Sequence, residues 1–148
     1  MKALVQRSKG AKVTVDDEVI GKIEAGLVVL LGITHEDSEK DVDFLVNKIV
    51  NLRIFPGTGG EFDSSALDGK KEILVVSQFT LYGSCKKGRR PDFNDAAKPD
   101  KAELLYKLFV HKLGETGLKV ATGKFQTTMQ VDLNNDGPVT LMIESKSS

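Results

Sequence analysis

Four short stretches bring together side chains able to do chemistry or hold a ligand. In "SQFTLYG", Ser77 to Gly83, the polar residues Ser77, Gln78 and Thr80 end the apolar run "ILVV". Side chains alternate faces along a strand, so Gln78 and Thr80 would share one face and Ser77 and Phe79 the other, barring a bulge. Polar groups at the end of a buried strand need partners or a cavity. They therefore either cap the strand or line a pocket. Ser77, in the context "VVSQF", lacks the Gly-x-Ser-x-Gly elbow of a hydrolase nucleophile. The two histidines give no triad. His111 falls among apolar neighbours in a helical stretch and reads as structural; His35 reads as solvated loop. Thr80 is a candidate nucleophile without an evident general base. The histidines and the lone Cys85 lie far apart and form no metal-ligand cluster, so no metal or cofactor is expected.

The second stretch, "KKGRRP", puts Lys86, Lys87, Arg89 and Arg90 around Gly88. Cations beside a glycine that lets the backbone approach suit phosphate, and a solvated turn has the same composition. Its nearness to "SQFTLYG" favours substrate contact. In the third, "GKFQTTMQV", Phe125 and Met129 either pack in the core or line a slot for a base, since aromatic faces stack on nucleobases. The fourth, "NNDGPVT", is turn chemistry before a strand. Pro138 drives its predecessor out of the α region and Gly137 accepts almost any backbone angle. The usual X–Pro geometry predicts a trans bond here.

The elements that must position these residues follow from periodicity. "KALVQR" and "AKVTVDDEVIGKI" read as strands with a hairpin at Asp16-Asp17. "GLVVLLGIT" reads as a strand buried on both faces. Val42, Leu45, Val46, Ile49 and Leu52 have helical spacing behind a Ser38/Asp41 cap. "FPGTGGEFDSSALDGKK" reads as a turn-rich, mobile segment, and its glycines match no nucleotide-binding template. Glu72 to Gly83 reads as a strand, and "KPDKAELLYKLFVHKLGETG" as a second helix opened by Pro99. Three strands follow, "LKVATGKF", "TTMQVDL" and "PVTLMIES", and the terminal "SKSS" is expected to fray. The expected fold is α/β: one domain over residues 1–148, with three α/β/β layers, mixed, mainly antiparallel sheets, and two helices on one face.

Composition sets further bounds. The chain has 148 residues, enough to bury a core without disulfide or metal. Lys+Arg and Asp+Glu are both 21, which argues against bulk electrostatic capture of nucleic acid but leaves room for a local basic patch. No apolar run is long enough to span a bilayer and no signal peptide is evident, so no membrane partner and a cytoplasmic location are expected.

"SQFTLYG" and "NDGPVT", with "KGRRPDF" between them and "QR" at Gln6-Arg7, resemble the bacterial-type D-aminoacyl-tRNA deacylases. The likeness runs from "KALVQR" to "TLMIES", and the pair of motifs at this separation is specific. The resemblance implies a homodimer that hydrolyses the ester joining a D-amino acid to the terminal adenosine of tRNA. It also implies that glycine charged on tRNA can be a substrate. It assigns Gly137 and Pro138 to a cis Gly-Pro dipeptide that enters the partner's active site and meets the substrate's amino group through backbone carbonyls. Ser77, Gln78, Phe79 and Thr80 would form the opposite wall, with amides near Phe79 and Thr80 as an oxyanion hole. Phe125 and Met129 would line the adenosine pocket, Arg7 would brace the Gly-Pro loop, and Lys87, Arg89 and Arg90 would meet phosphates. Attack by Thr80 and attack by water aided by the RNA's ribose hydroxyl are the competing mechanisms; the missing base favours water.

Two departures stand out. Relatives often read "GRFGA" where this chain has "GKFQT", so Gln126 and Thr127 replace smaller residues. Ser8 stands where valine is usual. The rival readings are a nucleic-acid-binding module without catalysis and a small-ester hydrolase using Ser77 or Thr80.

Overall fold

The computed structural model describes residues 1–146. Its spine is β1 (Lys2–Val15). The chain reverses at Asp16 and Asp17, whose φ values of 48° and 65° are those of the expected tight hairpin. β2 (Glu18–Ile23) and β3 (Gly26–Gly32) return along β1 one after the other, paired from Val15↔Glu18 to Ala11↔Ile23 and then from Ser8↔Gly26 to Lys2↔Gly32. β6 (Glu72–Ser77) lies parallel to β3, and β7 (Val120–Thr122) parallel to β6. β8 (Gln130–Glu144) runs antiparallel along the other edge of β1. The sheet is mixed, in the order β2-β1-β3-β6-β7 with β8 on β1.

Two cores explain the layering. α1 (Glu39–Asn51) and α3 (Pro99–Glu115) share a core with Ala3, Val5, Leu27, Val29, Ile73 and Val75. Val42, Leu45, Val46 and Ile49 are buried, as their spacing predicts. The other sheet face carries Val28, Leu74 and Val76, which close against Ala11, Val13 and Ile23. The register of β1 against β8 shifts between Ser8 and Ala11. A one-residue slip turns every following side chain to the other face. β1 therefore serves the helix-side core with its first half and the second core with its last half. The expected α/β/β layers result.

Several elements differ from expectation. The strand predicted over Glu72 to Gly83 stops at Ser77, and Phe79–Tyr82 is a 3-10 turn. The segment expected to be mobile holds a hairpin, β4 (Phe55–Gly57) with β5 (Gly60–Ser64), and a single helical turn, α2 (Ala66–Gly69). "LKVATGKF" yields only the three residues of β7. "TTMQVDL" and "PVTLMIES" belong to one strand, β8, because β1 offers a continuous partner. His111 is exposed, 3.7 Å from Glu115 Oε1, rather than packed. Of the "SKSS" expected to fray, Ser145 N–H donates to the Met1 carbonyl at 3.0 Å and Lys146 Nζ to Asp37 at 2.8 Å. Ser147 and Ser148 lie outside the described residues. No described helix is long and apolar enough to cross a membrane.

Candidate functional site

The end of β6 sets the site. Parallel pairing persists one residue beyond it, Gln78 N–H donating to the Leu31 carbonyl at 2.8 Å. The 3-10 turn then closes with Leu81 N–H on Gln78 O at 3.2 Å and Gly83 N–H on Thr80 O at 2.9 Å. Gly32 lets this turn sit on the end of β3: a Cβ there would stand 3.0 Å from Leu81 Cβ and 3.2 Å from Gln78 O. Strand alternation therefore does not govern these residues. Ser77 and Gln78 are half-buried, and Phe79 and Thr80 exposed. Gln78 and Thr80 still meet, the amide Nε2 donating to Thr80 Oγ1. An amide N–H gives a proton bond and cannot take a proton, so this neighbour is no general base. The turn's first amides, Phe79 and Thr80, have no acceptor within it.

Beside the turn opens a cavity of about 590 Å³, within the range of small-molecule sites. Ser77, Gln78, Phe79, Phe125 and Met129 all line it, with Phe93, Lys98, Gln126 and Thr127. On one side Phe79 and Phe93 meet edge to face, centroids 5.1 Å apart. Gly83 makes room, since a Cβ there would lie 2.8 Å from the Phe93 ring. Elsewhere in the lining Phe125 rests on Tyr106, centroids 6.0 Å apart. Tyr106 donates to Val75 O at 3.0 Å, and burial pushes its phenol up to about 12, so it remains a neutral donor. Phe125 packs on the helix-side core and Met129 on the second core, and both also face the cavity. The two fates open at the sequence level, core packing and slot lining, are thus combined. Gln126 lies at the rim with φ 59°, a left-handed angle that favours glycine, and Thr127 Oγ1 closes its turn on Lys124 O at 2.8 Å.

Gly137 and Pro138 stand elsewhere on the chain, outside this cavity lining. Their peptide bond is cis, unlike the trans bond that turn chemistry predicts. β8 leaves its register here: Gln6 pairs with Thr140 and Ser8 with Asn135, so four residues bulge opposite Arg7. Asn135 closes the bulge, accepting from Val139 N–H at 2.7 Å and donating to Thr140 Oγ1 at 2.8 Å. Both ends of the "NNDGPVT" motif are therefore structural clasps. Buried Arg7 lies beneath, its Nε donating to Asp136 O and Nη1 to Ile54 O, each at 2.8 Å. Ser8 Oγ accepts from Asn134 N–H at 3.2 Å and donates to Gly10 O at 2.6 Å, fixing the kink of β1 beside the bulge.

Lys86, Lys87, Arg89 and Arg90 project from an exposed loop. Ser84 and Asp92 clasp its base by exchanging backbone hydrogen bonds of 2.7 and 2.8 Å. Gly88, at φ 66°, turns its tip. The loop leads directly to Phe93, so the basic group and the cavity share one covalent support. Phe93, Lys98 and the clasp Asn135 escaped the sequence reading as site residues. Only the position of Phe93 inside "KGRRPDF" hinted at a role.

Residues 4–144 match the model of a family described as D-Tyr-tRNA(Tyr) deacylase. Proteins named D-aminoacyl-tRNA deacylase in Bacillus cereus and Bacillus mycoides are each 56% identical over 146 residues, covering 99% of this chain and 100% of their own. A solved structure described as c-Myc DNA unwinding element binding protein is similar at TM-score 0.93 and 45% identity, over 99% of this chain and 100% of that one. Another, described as a probable eukaryotic D-amino acid tRNA deacylase, has TM-score 0.85 at 18% identity over 97% and 98% of the two chains, a likeness of fold.

Proposed function

The chain belongs to the D-Tyr-tRNA(Tyr) deacylase family, and from that membership we propose that it hydrolyses the ester between a D-amino acid, or glycine, and the terminal adenosine of tRNA. The observation that carries the reading is the cavity itself. It is large enough for a nucleoside with its ester, lined by Phe79, Phe93, Phe125 and Met129, and it adjoins the unpaired first amides of the 3-10 turn. Aromatic walls suit the adenine ring. Lys87, Arg89 and Arg90, on the loop that delivers Phe93, suit the phosphates behind it.

In the proposed reaction water attacks the ester carbonyl. The amides of Phe79 and Thr80 hold the oxygen that becomes negative. The carbon–oxygen bond to ribose then breaks, giving the free amino acid and a ribose hydroxyl. The RNA's own neighbouring hydroxyl takes the water's proton while passing its own to the departing ribose oxygen, since Thr80 Oγ1 faces an amide donor rather than a base. Ser77 and Gln78 complete the wall.

Chirality is read by Gly137–Pro138 of the partner subunit. A braced backbone cannot yield to an L side chain as a flexible residue would, so the wrong enantiomer meets a wall. Two observations support a homodimer. Gly137–Pro138 takes no part in its own chain's cavity lining. β8 is an edge strand whose Leu141 and Met142 are 39% and 48% exposed. The place of action is the cytoplasm, where charged tRNA is used.

The test is to incubate the protein with D-tyrosyl-tRNA and L-tyrosyl-tRNA in parallel. Rapid loss of the D ester alone is expected; equal hydrolysis of both, or of neither, contradicts the reading. A nucleic-acid-binding module without catalysis is the second reading, favoured by the exposed cationic loop. Tight tRNA binding with no ester turnover would select it.

A further inference from the structure

Arg7 is 2% exposed, yet it carries a full charge. A buried charge needs partners on every donor, or the burial costs several kcal/mol. Two of its nitrogens, Nε and Nη1, take backbone carbonyls, those of Asp136 and Ile54. The third, Nη2, donates to Glu61 Oε1 at 2.7 Å. That same Nη2 stands 3.1 Å from where a Cβ on Gly137 would lie. The guanidinium is thus the floor under Gly137, and Glu61 holds its near corner. Asp136 also offers a carboxylate, but its Oδ2 is 3.6 Å from Nε, beyond hydrogen-bond distance.

Glu61 itself is placed by a pinned hairpin. It sits on β5, which pairs with β4 through Phe55↔Ser64. Asp63, two residues on, accepts from Gly59 N–H at 3.0 Å and from Arg53 Nη2 at 3.0 Å. The hairpin cannot slide without breaking these bonds. The segment that looks like a mobile loop in the sequence is therefore a strut, running from the end of α1 through Glu61 and Arg7 to the bulge in β8.

We propose that Glu61 is a positioning residue for the Gly137–Pro138 segment, fixing Arg7 so that Asp136 O and the peptide after it stay in one place. Because Glu61 is 61% exposed, the ion pair contributes little net stability. Its contribution is geometric. Freed from Glu61, the planar guanidinium loses one of its three anchors and can tilt as a unit, so the Asp136 carbonyl loses the orientation of its donor. The effect on turnover rests on the function proposed above; the effect on the bulge does not.

The test compares Glu61→Ala, Glu61→Gln and the parent by hydrogen–deuterium exchange and by deacylation kinetics. Exchange at Val139 and Thr140 should quicken about tenfold or more in Glu61→Ala, with the β1–β3 amides within about twofold of the parent. On D-tyrosyl-tRNA, kcat should fall about tenfold with KM little changed, and the D-over-L ratio should fall with it. Glu61→Gln keeps an acceptor and should recover much of both. Arg7→Lys with Glu61→Ala should be no slower than Arg7→Lys alone, because the two act as a unit. Unchanged exchange at Val139 in Glu61→Ala would overturn the proposal. So would acceleration spread evenly over β1 and β3, or a local acceleration that leaves kcat and the D-over-L ratio unmoved. A parent protein that does not hydrolyse D-tyrosyl-tRNA, with the local exchange effect intact, would strike the functional reading and leave the strut standing.

Discussion

Replacing Gly137 by alanine would place a methyl group 2.8 Å from Val139 Cγ2 and 3.1 Å from Arg7 Nη2. It would also force an L residue to φ 136°, an angle glycine tolerates and alanine does not. The backbone term alone is worth about 1–3 kcal/mol. The contacts add about 1–3 kcal/mol if nothing moves. What yields is decided by anchoring. Arg7 is buried and held through three nitrogens, whereas the bulge, Val139 included, lies on an edge strand. The bulge should therefore shift, and the protein should lose about 2–4 °C in Tm for each kcal/mol that the shift does not relieve. A displacement of about 1 Å in a group that positions substrate costs about a hundredfold in rate. The assay is loss of labelled D-tyrosine from tRNA in single-turnover conditions, with L-tyrosyl-tRNA in parallel. Gly137→Ala should slow the D substrate about a hundredfold and narrow the D-over-L ratio. A folded Gly137→Ala protein with parental rate and selectivity would refute the reasoning.

Phe125→Ala removes one aromatic wall, and base stacking is worth about 1–3 kcal/mol, so KM for D-aminoacyl-tRNA should rise about tenfold or more in steady-state kinetics. Lys87→Ala with Arg89→Ala and Arg90→Ala should weaken tRNA binding and flatten its dependence on salt by up to about three counterions, read from affinity titrations at several KCl concentrations. Thr80→Ala should keep turnover within about tenfold of the parent, because Thr80 meets only an amide; trapping an acyl group on Thr80 would contradict this. Burial alone would raise the Asp41 carboxyl, but hydrogen bonds from Ser145 and Ser38 and the charge of Lys146 hold it below its usual value. A lowered folded value means its stabilisation is complete above the unfolded value of about 3.9 and fades as pH falls through the folded one. The Tm gap between parent and Asp41→Asn should thus be full at pH 6 and shrink below about pH 4.

What could be read from the sequence was what local chemistry decides. The helical spacing of Val42 to Ile49, Pro99 at the start of α3 and the hairpin at Asp16-Asp17 all stand as expected. Each depends on neighbours a few residues apart. Failures came where distant partners decide. β6 ends at Ser77 because the 3-10 turn docks on Gly32, 45 residues away by numbering from Ser77. β8 runs through Pro138 because β1 pairs with it on both sides of the bulge. The glycine-rich segment becomes a hairpin through the β4–β5 pairing, and Asp63 and Glu61 meet Arg53 and Arg7 only in the folded chain. The cavity residues Ser77, Gln78, Phe79, Phe125 and Met129 were legible as a set through the family's motifs rather than through spacing. Phe93 and Lys98 were not, since they join the site only through the folding of the loop after Asp92.

In the proposed dimer one copy's backbone bulge completes the other copy's cavity. Mixing tests it most directly: a Gly137→Ala protein, disabled in the bulge, is exchanged with a Phe125→Ala/Met129→Ala protein, disabled in the cavity. Random pairing makes half of the dimers mixed, each with one fully intact site, so about a quarter of the parental activity on D-tyrosyl-tRNA should return. Activity no greater than the average of the two separate variants would contradict the claim.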